Sequence, residues 1–185
     1  MNQSVSTPVK TLREKNKVRW IAVTALFMAL NIIVSSFGIP VPGGHLYLCD
    51  VFICTAALLL DPLAAFIVGG IGSFLGDMLF YPAPMFVSLV THGLQAIVIS
   101  VIAGKYAQTD KKKHFTASLI GTLIGAVIMV VGYTLGKTYV YSTFEYAMIK
   151  LPYEISQALL GVIGSLFLYF KAGLGNIFNK MELNS

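Results

Sequence analysis

The sequence predicts an all-α integral membrane protein, a bundle of six transmembrane helices with both termini on the cytoplasmic side. Two observations carry this. Only 11% of the 185 residues are charged, 56% are hydrophobic, and the mean hydropathy is +0.78. A soluble domain of 20 kDa has too much surface to cover with so few charges. The second observation is where the basic residues sit. They gather at the ends of long apolar runs, which orients a membrane protein, and form no patch that would meet nucleic acid.

The elements follow in order. The first apolar run begins after about nineteen polar residues, too late for a signal peptide, and no A-x-A site follows it. It is read as a retained helix over 18–37. The stretch Gly38-Ile39-Pro40-Val41-Pro42-Gly43-Gly44 cannot continue a helix and is read as a loop. A short second helix covers 47–60. Asp61-Pro62 breaks the chain, with Pro62 suited to the first position of a third helix over 62–79. Tyr81-Pro82-Ala83-Pro84 is a sharp turn before the fourth helix, 85–106. A polar loop containing Lys111, Lys112 and Lys113 precedes a fifth helix, 115–137, and a sixth covers 149–170. Residues 1–17 form a basic arm, 18–171 the membrane domain and 172–185 a tail.

Six spans put Lys10, Arg13, Lys15, Lys17, Arg19, Lys105, Lys111, Lys112, Lys113, Lys171 and Lys180 on one side. Lys137 and Lys150 are left on the other. That imbalance predicts cytoplasmic termini, and five or seven spans would scatter the charges over both faces. Helices 2 and 3 could instead form a re-entrant pair, since 48–60 barely crosses ~30 Å of hydrocarbon at ~1.5 Å per residue.

With this orientation the polar groups fall in the outer half. Ser88, His92 and Gln95 share one face of helix 4, and Glu154 and Gln157 share one face of helix 6. Gln95 would lie ~15 Å below the outer surface and Glu154 ~8 Å. Asn31 lies in the outer half of helix 1, and Tyr133 stands one turn from Lys137 on helix 5. An unpaired charge in the membrane costs at least ~2.5–3.5 kcal/mol. A polar cup open outside and closed below explains why several helices carry such groups on the same side. Asp50 either caps helix 2 or faces that cup. Asp77 is expected to hold a neighbouring backbone beside the small residues Gly69, Gly72, Ser73 and Gly76. Lys137 and Lys150 are expected to snorkel, and His114 to be solvated beside the lysines.

Several chemistries are excluded. The chain contains no Walker A sequence, no H-E-x-x-H and no G-x-S-x-G. Cys49 and Cys54, five residues apart, are off one helical face and lack a second pair, so no metal site is expected. The smooth inner halves suit neither a channel nor a proton-coupled carrier, both of which need groups along the whole path. The remaining reading is a binding cup that depends on another protein, with a stand-alone channel or secondary carrier as the alternative.

Further motifs resemble a known family. Ala25-Leu26-Phe27-Met28-Ala29 on helix 1, with Ala22 one turn earlier, resembles the AxxxA motif of the substrate-binding S components of energy-coupling factor (ECF) vitamin transporters. The Leu48-Cys49-Asp50 opening of helix 2, the glycine-rich helix 3 ending in Gly76-Asp77 and the proline turn resemble the same family. Within it they resemble the riboflavin-transporter-like group, which includes predicted pyridoxine and hydroxymethylpyrimidine binders. Cys49 stands where the family more often has Gly.

The resemblance implies a subunit of the bacterial cytoplasmic membrane with no cofactor and no enzymatic activity of its own. Its partners would be a transmembrane coupling subunit, docked on Ala22, Ala25 and Ala29, and two ATPases that use ATP and Mg. The implied vitamin site comprises His45, Tyr47, Asp50, His92, Gln95, Tyr133, Glu154 and Gln157. Neutral donors and acceptors with few carboxylates suit a neutral or weakly cationic heteroaromatic. Pyridoxine and hydroxymethylpyrimidine rank first; riboflavin, thiamine and folate are bulkier or more charged.

Overall fold

The computed structural model describes residues 12–42, 44–107 and 110–183; Lys10, with the rest of 1–11, and Gly43 lie outside the described residues. Among the described residues, five helices are long and apolar enough to cross a membrane, and a sixth apolar helix is shorter. A one-turn helix α1 (Leu12–Lys15) leads into α2 (Lys17–Ser35), whose start is capped by the Asn16 side chain accepting from the Arg19 N–H. A hairpin of β1 (Ile39–Val41) and β2 (Gly44–Leu46) follows, and then α3 (Cys49–Leu59). The long helices α4 (Pro62–Phe80), α5 (Met85–Gly104), α6 (Lys111–Tyr141) and α7 (Phe144–Lys171) complete the bundle. The short helix α8 (Leu174–Leu183) lies in the tail. The chain is therefore an all-α membrane bundle with one small β element.

Three boundaries differ from the sequence reading, each for a local reason. The first loop is an antiparallel ribbon with Pro40 opposite His45 and Val41 opposite Gly44. A two-stranded ribbon tolerates Pro40 on an edge, and Gly44 takes a φ of 126° that a side chain would resist. The three lysines 111–113 form the first turn of α6 instead of a loop. Helix α7 starts at Phe144, where the Thr143 hydroxyl accepts from the Tyr146 N–H, and it carries Pro152 in its interior.

The six apolar helices alternate in direction, giving the bundle two distinct ends. One end holds the hairpin and the α4–α5 and α6–α7 turns. The other is basic: Lys15, Lys17, Arg19, Lys105, Lys111, Lys112, Lys113, Lys171 and Lys180 are all exposed there. Asp61 caps α4 by accepting from the Leu63 and Ala64 N–H groups, with Pro62 at the first position as expected. Asp61 also accepts from the Trp20 indole, tying α2 to the α3–α4 turn. His114 is buried at this end, edge-on to Tyr169 and Phe170, and not solvated as expected. It lies on the inward face of the α6 turn whose lysines face out.

The glycines of α4 permit two close approaches. A Cβ on Gly69 would meet the His92 carbonyl oxygen of α5 at 2.7 Å, and one on Gly72 would meet Asn31 Nδ2 of α2 at 2.9 Å. Asn31 uses this proximity to donate to the Val68 carbonyl at 2.8 Å and to Ser73 Oγ at 3.1 Å. It is thus a tie between helices.

Helix α3 decides the shape of the interior. Its eleven residues rise about 16 Å, roughly half the hydrocarbon thickness. Eight of the eleven are buried, so neighbouring helices, and not lipid, surround it. Its first turn contacts Gln95, about 15 Å along α5 from the hairpin end. The half of the bundle above that first turn has no α3 to fill it. Below, Ile53, Cys54, Ala57, Ala96, Ile99 and Ala103 pack into an apolar plug.

Candidate functional site

The space above α3 is a cavity of about 170 Å³ at the hairpin end. Its walls come from the end of α2, the hairpin, the first residues of α3, and the hairpin-end portions of α4, α5, α6 and α7, with Met129 at the apolar base. Three groups of polar side chains are built into them.

The deepest is centred on Asp50, 1% exposed. One carboxylate oxygen accepts from Gln95 Nε2 at 2.9 Å, and the other from Gln157 Nε2 at 2.7 Å. Gln157 Oε1 in turn accepts from the Tyr47 backbone N–H at 2.9 Å. Gln95 Oε1 lies 2.7 Å from His92 Nδ1. Asp50 is therefore no simple helix cap: it joins α3 to α5 and α7, and through Gln157 to the end of the hairpin. A buried carboxylate is tolerated because both oxygens receive donors.

The second group runs Tyr133–Ser88–Asp77. Ser88 Oγ donates to the Asp77 carboxylate, and its oxygen lies 2.5 Å from the Tyr133 hydroxyl. A serine has one proton to give, so Tyr133 is the donor of that second bond. The Tyr133 hydroxyl is thereby turned into the wall, and its ring is left against the cavity, 5.3 Å from the His92 ring. Asp77 thus holds a side chain, not the neighbouring backbone that the sequence suggested.

The third group is charged. Lys137 pairs with Glu154, each 3% exposed, and Glu154 Oε2 has no partner among the described residues. A π turn over Lys137–Tyr141 ends α6 and sets both Lys137 and Tyr141 on the cavity wall. Lys150 Nζ donates to the His45 carbonyl at 2.7 Å, latching β2 to α7. Neither lysine snorkels as expected. Both turn inward, because a carboxylate or a carbonyl waits there and the cavity supplies the polar space.

Of the eight residues expected at the site, His45, Tyr47, His92, Tyr133, Glu154 and Gln157 line the cavity. Asp50 and Gln95 lie behind the wall and bond to residues that form it. Ala22, Ala25 and Ala29 are all exposed on α2. The sequence reading missed Asp77, Lys137, Lys150, Tyr141 and Tyr146 as lining residues. Lys137 and Lys150 carried a usable signal: they are the two cations that the charge asymmetry leaves at this end.

Cys49, Asp50 and His92 also bring one potential metal-ligating atom each within 4.8 Å of one another. Both Asp50 oxygens are already engaged by amides, so a metal there would have to displace them. Burial favours the reading of Cys49 and Cys54 as small core residues.

Comparison with known proteins agrees with this architecture. Residues 15–173 match the model of a family described as ECF-type riboflavin transporter, S component. The chain is also 30% identical over 159 residues to a Pyrococcus woesei protein described as an uncharacterized protein in the gap 3' region. That match covers 86% of this chain and 95% of the relative.

Proposed function

The chain belongs to the ECF-type riboflavin transporter S-component family, and from that premise we propose that it captures pyridoxine or hydroxymethylpyrimidine from outside the cell for ATP-driven uptake. Membership itself makes the chain a membrane-embedded, substrate-binding subunit of a vitamin transporter and not an enzyme. It also implies association with an energising module of a coupling subunit and ATPases.

The carrying observation is the size and chemistry of the cavity. At about 170 Å³ it is close to the ~150 Å³ engineered cavity that takes up benzene, so one substituted aromatic ring suits it. The rings of Tyr133 and His92 offer aromatic contact, and the two cationic and two anionic groups on its walls leave little net charge. A second reading, riboflavin, is favoured by the description of the family. Its three fused rings match a cavity of about 170 Å³ less well than a single ring does.

The basic residues exposed at the opposite end support termini on the cytoplasmic side and a cavity facing outward. The apolar plug beneath the cavity supports capture and hand-over, with release driven by partners that use ATP and Mg. The exposed Ala22, Ala25 and Ala29 offer a close-approach face for the coupling subunit.

The test is mass spectrometry of the small molecule that copurifies with the protein, followed by calorimetry with pyridoxine, hydroxymethylpyrimidine, riboflavin and thiamine. Nanomolar to micromolar binding of a single-ring vitamin is expected. Tighter binding of riboflavin would replace this substrate, and ATP-independent uptake into liposomes would overturn the capture mechanism.

A further inference from the structure

The hydrogen bonds behind the cavity wall form a chain in which each partner dictates the orientation of the next. It starts at a group with no choice: the Tyr47 backbone N–H can only donate, and it meets Gln157 at 2.9 Å. Gln157 must therefore turn its carbonyl oxygen toward Tyr47 and its NH₂ toward Asp50, 2.7 Å away. The other Asp50 oxygen faces Gln95. It accepts from the Gln95 NH₂ at 2.9 Å, which leaves the Gln95 carbonyl oxygen for His92 Nδ1, at 2.7 Å. An amide oxygen only accepts. Nδ1 must then carry the proton.

In a neutral imidazole, a proton on Nδ1 leaves Nε2 as an acceptor. His92 lines the cavity while Gln95 stands behind it. With Nδ1 turned to Gln95, Nε2 is the ring nitrogen left to the cavity side, and among the described residues the hydrogen bond of the His92 ring is at Nδ1. We infer that Asp50, acting through Gln95, holds His92 as the Nδ1–H tautomer, so that the site selects a ligand presenting an N–H or O–H donor to His92 Nε2. Asp50 is on this view a positioning residue. It sets the polarity of a contact it does not make. The selection half of this inference rests on the reading of the cavity as a vitamin site; the tautomer half does not.

Asp50→Asn makes the sharpest test because it changes polarity with little change in shape. The Tyr47 N–H still orients Gln157, whose NH₂ claims the oxygen of the new carboxamide. The carboxamide nitrogen is left facing Gln95, which must rotate to offer its oxygen. Its NH₂ then faces His92 Nδ1 and demands an acceptor there, moving the imidazole proton to Nε2. The substitution should therefore turn an acceptor facing the cavity into a donor.

The experiment is ¹⁵N-histidine NMR of ligand-free, full-length protein in detergent micelles, with His92 assigned by comparison with His92→Gln. The expected result is the Nδ1–H tautomer in the unsubstituted protein and the Nε2–H tautomer in Asp50→Asn. An Nε2–H tautomer in the unsubstituted protein overturns the inference, and so does an unchanged tautomer in Asp50→Asn. Should Asp50→Asn fail to fold, Gln95→Met removes the relay while leaving the Asp50–Gln157 pair. There the Nδ1–H preference should give way to a mixture; its persistence would assign the tautomer to Asp50 directly, whose oxygen lies 3.8 Å from Nδ1, and overturn the relay through Gln95.

Calorimetry with pyridoxine and hydroxymethylpyrimidine is the second arm. A loss of about ten- to hundredfold in affinity is expected in Asp50→Asn, the usual effect of opposing two donors in a desolvated site. A changed tautomer with unchanged affinity overturns the selection role. No vitamin binding by the unsubstituted protein overturns the function proposed above, while the tautomer result stands on its own.

Discussion

At the scale of single residues, the Lys137–Glu154 pair shows how the membrane domain accommodates charge. Both groups are 3% exposed, and each is the other's partner. Either one alone, buried in apolar surroundings, would be far costlier than the pair, because desolvation of an uncompensated ion outweighs what packing returns. Lys137→Met should therefore lower stability by about 3 kcal/mol, the low end for breaking a buried pair because both residues border the cavity. Thermal unfolding in detergent measures this. The double variant Lys137→Met with Glu154→Gln should recover most of the loss, since no unpaired charge remains. A double variant as unstable as the single one would show that packing, and not charge, holds this corner.

At the scale of elements, the short helix α3 makes the cavity by starting halfway down the bundle, and the hairpin β1–β2 covers the space it leaves. Among the described residues, two hydrogen bonds tie that cover to α7: Lys150 to the His45 carbonyl, and the Tyr47 N–H to Gln157. Lys150→Met removes the first and leaves the second. Ligand dissociation should accelerate roughly tenfold, the worth of one charge-assisted hydrogen bond, with little change in melting temperature. Stopped-flow displacement reads the rate, and an unchanged rate would mean that the hairpin is held without this lysine. Helix α2 stands at the edge of the bundle, with only Thr24 and Asn31 buried along its 19 residues. Ala25→Leu and Ala29→Leu add bulk to its exposed face and touch nothing in the cavity. Vitamin binding should persist in both variants while transport by the reconstituted complex falls at least tenfold, because a close helix–helix approach is lost. Loss of binding as well would place the defect inside the subunit.

At the scale of the whole molecule, the charge asymmetry is sharper than the sequence count suggested. The two cations at the hairpin end both turn into the cavity wall, Lys137 onto Glu154 and Lys150 onto a backbone carbonyl. The exposed lysines and arginines therefore gather at the opposite end, and that bias supports cytoplasmic termini. Cysteine labelling tests this directly, since Cys49 and Cys54 are buried. In intact cells Ala83→Cys, in the exposed α4–α5 turn, should react with an impermeant maleimide, and Lys112→Cys should react only after permeabilisation. The reverse pattern would invert the topology.

The sequence by itself determined the helical membrane class, the segments that pair into the bundle, and the end at which the polar groups collect. Each follows from local quantities: runs of apolar residues, prolines at breaks, and charges near helix ends. It also singled out His92, Tyr133, Glu154 and Gln157 of the cavity wall, because a polar residue inside an apolar helix stands out wherever the helix packs. Tertiary structure alone decided what those residues do. Whether Lys137 snorkels or turns inward depends on Glu154, 17 positions along the chain and brought beside it by the turn between α6 and α7. Whether Asp50 meets ligand or stands behind the wall depends on Gln95 and Gln157, 45 and 107 positions away. A hydrogen-bonding role belongs to a pair of groups. Spacing within one helix cannot name a partner that another helix supplies.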